Sequence, residues 1–270
     1  MRNNGWIVET VLGVSMVVGC AGKAGAQSAP TTKAVEVQGA KPQAAPASVD
    51  ATLDKLDVLG KDLKDFSAHV ELSEIDSTSG NATTRIGMVR YQLVAEGNAR
   101  IRVTFDKKEE DERLYDEKIE YLLQNGSLID RNYNTKSETR RQVLQPGEKA
   151  NLLKLGEGPF PLPIGQEKAE VHKLFDVTLI PAGADDPANT THIKLAPKPD
   201  TQFAGKFHGI DVWVDNASNF PVRIDTEDGN QTNTRKTIFK GVKTNTGLND
   251  EDFMLEAVEG WNVQTGEFVE

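Results

Sequence analysis

Apolar and polar residues alternate in short runs through most of the chain. In "DFSAHVEL" the apolar positions are Phe66, Ala68, Val70 and Leu72, and "NARIRVTFD" repeats the pattern around Val103. Strict alternation places the apolar side chains on one face of a strand and the polar ones on the other. Runs of this kind recur as far as "FMLEA", with short connections between them. The pattern predicts about ten strands, mostly antiparallel.

Turn signals and one irregularity refine this prediction. Asn125-Gly126 and Asp228-Gly229 are dipeptides typical of hairpin turns. In "TRIGMVRYQLVAEG" the apolar parity slips after Met88, which predicts a bulge near that residue. In "GIDVWVD", Val212 and Trp213 compete for the inner face.

Two segments have helical spacing instead. "DATLDKLDVLGKDLKD" carries leucines at 53, 56 and 63, and Asp50 is placed to cap a helix there. Gln166 to Phe175 predicts a second, shorter helix.

Between residues 151 and 176 lies a segment with three prolines, at 159, 161 and 163, which exclude a regular helix or a central strand. The apolar residues between and after them would share one side of an extended strap. Leu152, Leu153 and Leu155 suit a further short helix before the prolines. Either this helix, the strap and the helix over 166–175 form a lid over a sheet, or the segment is an ordinary crossover that caps a core. The predicted lid residues are Phe160, Leu162, Ile164, Val171 and Leu174.

The first residues resemble an export signal. Arg2 precedes an apolar run that is too short to span a bilayer as a helix. Val17-Val18-Gly19-Cys20 resembles a bacterial lipobox, in which the cysteine is acylated, and Cys20 is the only cysteine of the chain. The competing cut follows Ala24-Gly25-Ala26 and would release a soluble periplasmic protein. We expect a signal peptide with a lipobox over 1–20, a disordered tether over 21–50 and one domain over 51–270.

Charge and motifs exclude several functions. The net charge of −10 argues against nucleic-acid binding. We find no catalytic motif, and the four histidines lack metal-ligand spacing; His69 and His192 fall at polar strand positions and should face solvent. We therefore expect no enzyme activity, no cofactor and no metal.

The C-terminal half carries a resemblance. "GIDVWVDNASNFPVRIDTEDGNQTNTRKTIFKGVKTNTGLNDEDFML" resembles the end of the LolA family, the periplasmic carriers of outer-membrane lipoproteins, to which the receptor LolB is related. The matching features are Trp213-Val214-Asp215, Pro221-Val222-Arg223-Ile224, the Asp228-Gly229 turn, Asn245, and "LNDEDF" ending at Phe253. The likeness covers most of residues 50–262. One departure is that "VAEGN" at 94–98 stands where such carriers commonly have the Arg-Pro pair that ties down the lid.

The resemblance implies a mainly β protein with helices: a curved antiparallel half-barrel of about eleven strands, with a helical lid over an apolar cavity for acyl chains. It implies acyl chains or lipoproteins as partners, no nucleic acid, a monomer, and a place on the periplasmic side of the bacterial envelope, anchored to the outer membrane through Cys20. The alternative is a sensing or structural lipoprotein that uses the same fold to bind a protein. The predicted cavity residues are Phe66, Val70, Leu72, Met88, Ile101, Val103, Phe105, Val212 and Ile224.

Overall fold

The computed structural model describes residues 48–95, 97–145, 148, 152–153, 155 and 163–266. The helices of these ranges are α1 (Val49–Asp62), α2 (Lys168–Leu174) and a 3₁₀ turn (Asp250–Phe253). The strands are β1 (Asp65–Asp76), β2 (Ala82–Ala95), β3 (Asn98–Glu110), β4 (Arg113–Gln124), β5 (Ser127–Asn132), β6 (Ser137–Gln142), β7 (Phe175–Ile180), β8 (Thr190–Pro197), β9 (Phe207–Asp215), β10 (Pro221–Asp228), β11 (Asn233–Thr244) and β12 (Asn262–Gly266).

All of these strands form one curved, open sheet, in the order β12-β6-β5-β4-β3-β2-β1-β11-β10-β9-β8-β7. Neighbours from β6 to β7 are antiparallel, and only β12 joins the described sheet in parallel, alongside β6. The predicted half-barrel of about eleven antiparallel strands is therefore confirmed, with one parallel strand added at its edge. None of the helices in the described ranges has the length and apolar character needed to cross a bilayer.

The predicted hairpin at Asn125-Gly126 is confirmed. Both residues have positive φ, at 52° and 72°, and they join β4 directly to β5. Asp228-Gly229 likewise begins the connection from β10 to β11. Local turn chemistry is thus sufficient to place these two reversals of the chain.

The bulge predicted in β2 near Met88 is wrong, because β2 runs against β1 without a break from Asp65–Gln92 to Ile75–Ala82. The extra residue lies in the neighbouring strand: Gly87 is opposite Phe105, whereas Ile86 is opposite Lys107. Gly87 permits this irregularity, since a Cβ there would stand 1.8 Å from the Thr104 carbonyl oxygen. The slip in the apolar pattern arose because Met88 is apolar although it faces outward, and β2 does not change face there.

Both helices have slightly different ends from those predicted. Ser48, not Asp50, caps α1, and its hydroxyl accepts a hydrogen bond from the Ala51 N–H over 3.2 Å. The second helix stops at Leu174, and Phe175 is already the first residue of β7. The cap and first residues of α1 therefore lie within the stretch that the sequence assigned to the tether.

Candidate functional site: the concave face

The concave side of the sheet is one continuous apolar surface. Eight of the nine predicted cavity residues belong to a single buried cluster and are at most 3% exposed. They come from β1, β3, β9 and β10, so both halves of the sheet contribute. They are Phe66, Val70, Leu72, Ile101, Val103, Phe105, Val212 and Ile224.

Met88 is the exception, and its placement in the cavity is corrected. It is paired with His69, which is exposed, whereas its neighbour Val89 is opposite Ala68 and fully buried. Because successive strand residues point to opposite faces, Met88 lies on the convex side. Its apolar character gave no information about its face.

Ring stacking joins the two halves of this interior. The Phe66 ring lies 5.5 Å from the Tyr91 ring and 5.1 Å from the Phe220 ring, and Phe220 in turn meets Phe239 edge to face at 6.1 Å. Burial raises the pKa of Tyr91 to about 12, as expected for a phenol with little water around it. The interior is therefore packed and dry at the middle of the sheet.

Helix α1 covers this surface. Leu53 and Leu56 face the sheet, are at most 1% exposed, and belong to the same cluster as the strand residues. Its polar side is tied to α2 by Asp54–Lys168 at 2.8 Å and Asp50–His172 at 2.9 Å. Helix α1 thus rests on the sheet through apolar contacts and is held at its solvent side by one exposed ion pair and one exposed hydrogen bond.

Helix α2 and the described residues between β6 and α2 add a second cover. Ile164 and Val171 are fully buried, and Leu174 is half-buried against the cluster. The predicted lid residues Phe160 and Leu162 lie outside the described residues, as does Cys20. Other buried residues of this crossover are Val143, Leu144, Leu152, Leu153 and Leu155.

Charged residues occupy the rim of the concave face. Arg85 lies opposite Leu72 and is only 6% exposed, and its guanidinium donates to Glu117 over 2.9 Å and to Glu74 over 3.2 Å. Arg235 contacts the other oxygen of Glu74 at 3.2 Å. At this place the apolar interior ends in a cluster of two arginines and two glutamates whose charges balance, a pattern that the strand alternation alone did not reveal.

On the convex face, sequence reasoning missed a cluster around Trp213. Val212 takes the inner position, and Trp213 points outward, where its ring stacks on His192 at 4.0 Å and under the Arg223 guanidinium at 4.0 Å. The Trp213 Nε1–H donates to Asp186 over 2.6 Å, which brings the 181–189 loop onto the sheet. His192 is therefore not solvent-facing as predicted, since its side chain is only 11% exposed.

His69 is exposed, as predicted. In the described ranges no group of three or more His, Cys, Asp or Glu side chains could hold a metal ion.

The C-terminal segment crosses the convex face of β2 to β6. The Arg100 guanidinium stacks over the Phe253 ring at 4.3 Å, and Arg131 donates to the Glu256 carbonyl over 2.7 Å. Beneath the segment, the carboxylate of Glu120 has a lowered pKa: burial opposes ionisation, but hydrogen bonds from Tyr133 and Arg102 outweigh it. These polar contacts cover the convex face of this part of the sheet. The apolar face of the sheet is therefore the concave one.

Comparisons with known proteins give matches among solved structures. No protein-family model matches the sequence, and a search of curated proteins gives no match. Among solved structures, the chain is similar to an uncharacterised conserved protein from Thermus thermophilus, with 12% identity, a TM-score of 0.45, and coverage of 80% of this chain and 97% of that one.

Two further solved structures are similar to the chain. A LolA superfamily protein from Nitrosomonas europaea has 13% identity, a TM-score of 0.33 and coverage of 78% and 99%. MucB in the MucA/MucB complex of Pseudomonas aeruginosa has 11% identity, a TM-score of 0.42 and coverage of 77% and 60%. The sheet order and the helix on its concave side are those of the curved antiparallel half-barrel with a helical cover that the sequence predicts.

Proposed function

We propose that this protein binds the acyl chains of lipids or lipoproteins in the interior of its half-barrel, and so supports lipoprotein sorting or lipid handling in the bacterial envelope. The observation that carries the proposal is that the cover of the concave face, helix α1, is not part of the sheet. Helix α1 closes the concave face without joining any strand of the described sheet, so the interior can open while the sheet keeps its hydrogen bonds.

The energetics favour such a role. An acyl chain in water costs about 0.8 kcal/mol per CH₂, hence about 10 kcal/mol for a chain of about a dozen carbons. The interior residues, such as Phe66 and Ile224, are already buried in the closed form. A bound acyl chain would therefore take the place of the contacts that they make with helix α1. The acyl chain then offsets the loss of the contacts that Leu53 and Leu56 make in the closed form.

The N-terminal residues set the location in this proposal. Acylation of Cys20 tethers the domain to the outer membrane on its periplasmic side, and residues 21–47 supply the reach. Cleavage after Ala26 would instead give a soluble periplasmic carrier.

Lipid extraction with mass spectrometry tests the binding function. The full chain, purified without added lipid, is extracted with organic solvent and also examined by native mass spectrometry. We expect about one acyl lipid per chain. Absence of lipid, together with no uptake of a fluorescent fatty acid, would contradict the proposal.

Two variants on opposite faces of the sheet make this test specific. Val103→Trp fills the interior, and we expect it to lose the lipid while overpacking lowers stability by about 1–3 kcal/mol. Met88→Trp places the same side chain on the convex face and should keep the lipid. Equal lipid content in the two variants would argue that the chain binds elsewhere.

A second function is favoured by one edge of the sheet. Strand β7 is the last strand in the sheet order, and its Leu179 side chain is 43% exposed. An edge of this kind pairs with an extended segment of another protein, as a sensing or structural lipoprotein would require. Cross-linking in cells should then recover a partner with the wild type and lose it with Leu179→Lys, while lipid content stays unchanged.

A further inference from the structure

Strand β6 directs one arginine toward the interior. Arg141 is paired with Leu128, which is 1% exposed and part of the apolar cluster, so both side chains lie on the concave side. The Arg141 side chain is 29% exposed. Its stem therefore starts from the apolar interior while its guanidinium reaches the rim.

The donors of Arg141 are not used by the described protein. The guanidinium Nη2 lies 3.9 Å from the Asp130 carboxylate, beyond hydrogen-bond distance, and the Nε is buried without a partner. Arg85 on the same concave face is different, because Glu74 and Glu117 both accept hydrogen bonds from it. Arg85 is thus a structural ion pair, and Arg141 retains its hydrogen-bonding capacity.

The acidic side chain facing Arg141 is that of Asp130, which lies within ion-pair distance but too far away to accept a hydrogen bond from the guanidinium. Burial raises the pKa of Asp130, and the opposing effect of Arg141 does not outweigh it. Tyr121 lies opposite Asp130, and burial raises its pKa too, with Asp130 adding to the shift, so the phenol keeps its proton. A partly buried arginine whose Nε–H has no partner favours an anion that can accept from it.

We propose that Arg141 binds the anionic head of an amphiphile, a carboxylate or a phosphate, whose acyl chain enters the interior beside Leu128. The proposal rests on the proposed function and adds the polar half of the ligand to it. The planar guanidinium suits both oxyanions, because its parallel N–H groups can donate to two oxygens at once.

The position of Arg141 in the chain also determines where the anionic head would lie relative to the residues that cover the interior. The crossover begins immediately after β6, and its residues Val143 and Leu144 are already buried in the apolar interior. A head bound at Arg141 would therefore lie close to Val143 and Leu144, which are part of the buried apolar cluster.

The test compares a charged and a neutral probe of the same chain length. The full chain carrying Cys20→Ser, which has no acyl group of its own, is titrated with cis-parinaric acid and with its methyl ester. We expect the acid to bind about tenfold more tightly than the ester, as a charge-assisted hydrogen bond provides. Arg141→Gln should remove this difference by weakening the acid about tenfold and leaving the ester unchanged.

Arg140 supplies the matched control, because it precedes Arg141 in the same strand but lies on the opposite face, where it pairs with Glu138. Arg140→Gln should leave both affinities unchanged. If Arg141→Gln does not fold, Arg141→Lys keeps a positive charge without the paired donors, and it should lose part of the preference for the acid.

The outcomes separate this proposal from the function on which it rests. Equal affinity of the Cys20→Ser chain for acid and ester, or an unchanged ratio after Arg141→Gln is added to it, overturns the anion site and leaves acyl binding intact. If neither probe binds, the acyl-binding function is overturned and the anion site with it. Competition by palmitate and by palmitoyl lysophosphatidate then distinguishes a carboxylate head from a phosphate head. The head that Arg141 binds is that of the competitor whose displacement of the probe is weakened more by Arg141→Gln.

Discussion

Gly60 of α1 and Gly165 of the crossover meet backbone to backbone. The Gly165 N–H donates to the Leu56 carbonyl over 3.1 Å, and a Cβ on Gly60 would stand 2.2 Å from the Gly165 nitrogen. A glycine inside a helix costs about 1 kcal/mol relative to alanine. In this protein only glycine at position 60 leaves room for the crossover to pack closely on α1, so the helix retains glycine despite its lower propensity.

Gly60→Ala should therefore destabilise the protein although it improves helix propensity. We expect a net loss of about 1–2 kcal/mol, because a backbone clash of this size displaces the crossover. Urea unfolding measures the loss. Gly205→Ala is the control, since a Cβ there meets nothing within 4 Å, and it should be neutral or slightly stabilising. A stabilised Gly60→Ala would show that the crossover does not rest on α1.

The assignment of faces in the sheet gives a second prediction. Ile101 and Met88 lie on neighbouring strands but face opposite sides. Ile101→Ala should lower the free energy of unfolding by about 2–5 kcal/mol, because it leaves a cavity in a packed interior. Met88→Ala should cost less than about 1 kcal/mol. Similar losses for the two variants in urea unfolding would contradict the assignment.

The loop on the convex face predicts a pH-dependent contribution to stability. Burial opposes ionisation of Asp186, but hydrogen bonds from the Gly183 N–H and the Trp213 Nε1–H, with His192 and Arg223 nearby, hold its pKa below the ordinary value. A carboxylate with a lower pKa in the folded state contributes stability above its unfolded pKa of about 4, and this contribution is lost as the pH falls through the folded pKa.

Asp186→Asn should accordingly cost about 1–3 kcal/mol at pH 7, and the difference from the wild type should shrink at about pH 2–3. Urea unfolding at the two pH values measures this change. Asp185→Asn is the control, because that neighbouring side chain is exposed, and it should change the free energy of unfolding at pH 7 by less than about 0.5 kcal/mol. A difference for Asp186→Asn that grows in acid would refute the role given to the ionised carboxylate.

The anchor is tested by fractionation. We expect the wild-type chain in the membrane fraction and Cys20→Ser in the soluble periplasmic fraction, since acyl chains on that cysteine would hold the domain at the bilayer. Wild-type protein recovered as a soluble chain that starts at Gln27 would instead establish cleavage after Ala26.

Local signals determined how much of this architecture could be predicted. The alternation in β1 and β3 and the Asn125-Gly126 turn depend on adjacent residues, and they were placed correctly. The faces of β2 were not, because Arg85 points inward only when Glu74 and Glu117 neutralise it. Likewise, the burial of His192 depends on a loop that reaches Trp213 through Asp186. Contacts with residues from distant parts of the chain leave no periodic pattern in the local sequence, so sequence analysis could not detect them.

The pairing of β1 with β11 has a consequence for how the chain acquires its structure. Phe66 is opposite Thr244, so the middle of the sheet joins residues from opposite ends of the domain. Proteins dominated by such distant contacts fold slowly, because long loops must close before the contacts form. The central seam cannot assemble until residue 244 has left the ribosome. The export proposed above would benefit from this delay, since a chain whose central strands are still unpaired can be threaded through a secretion channel.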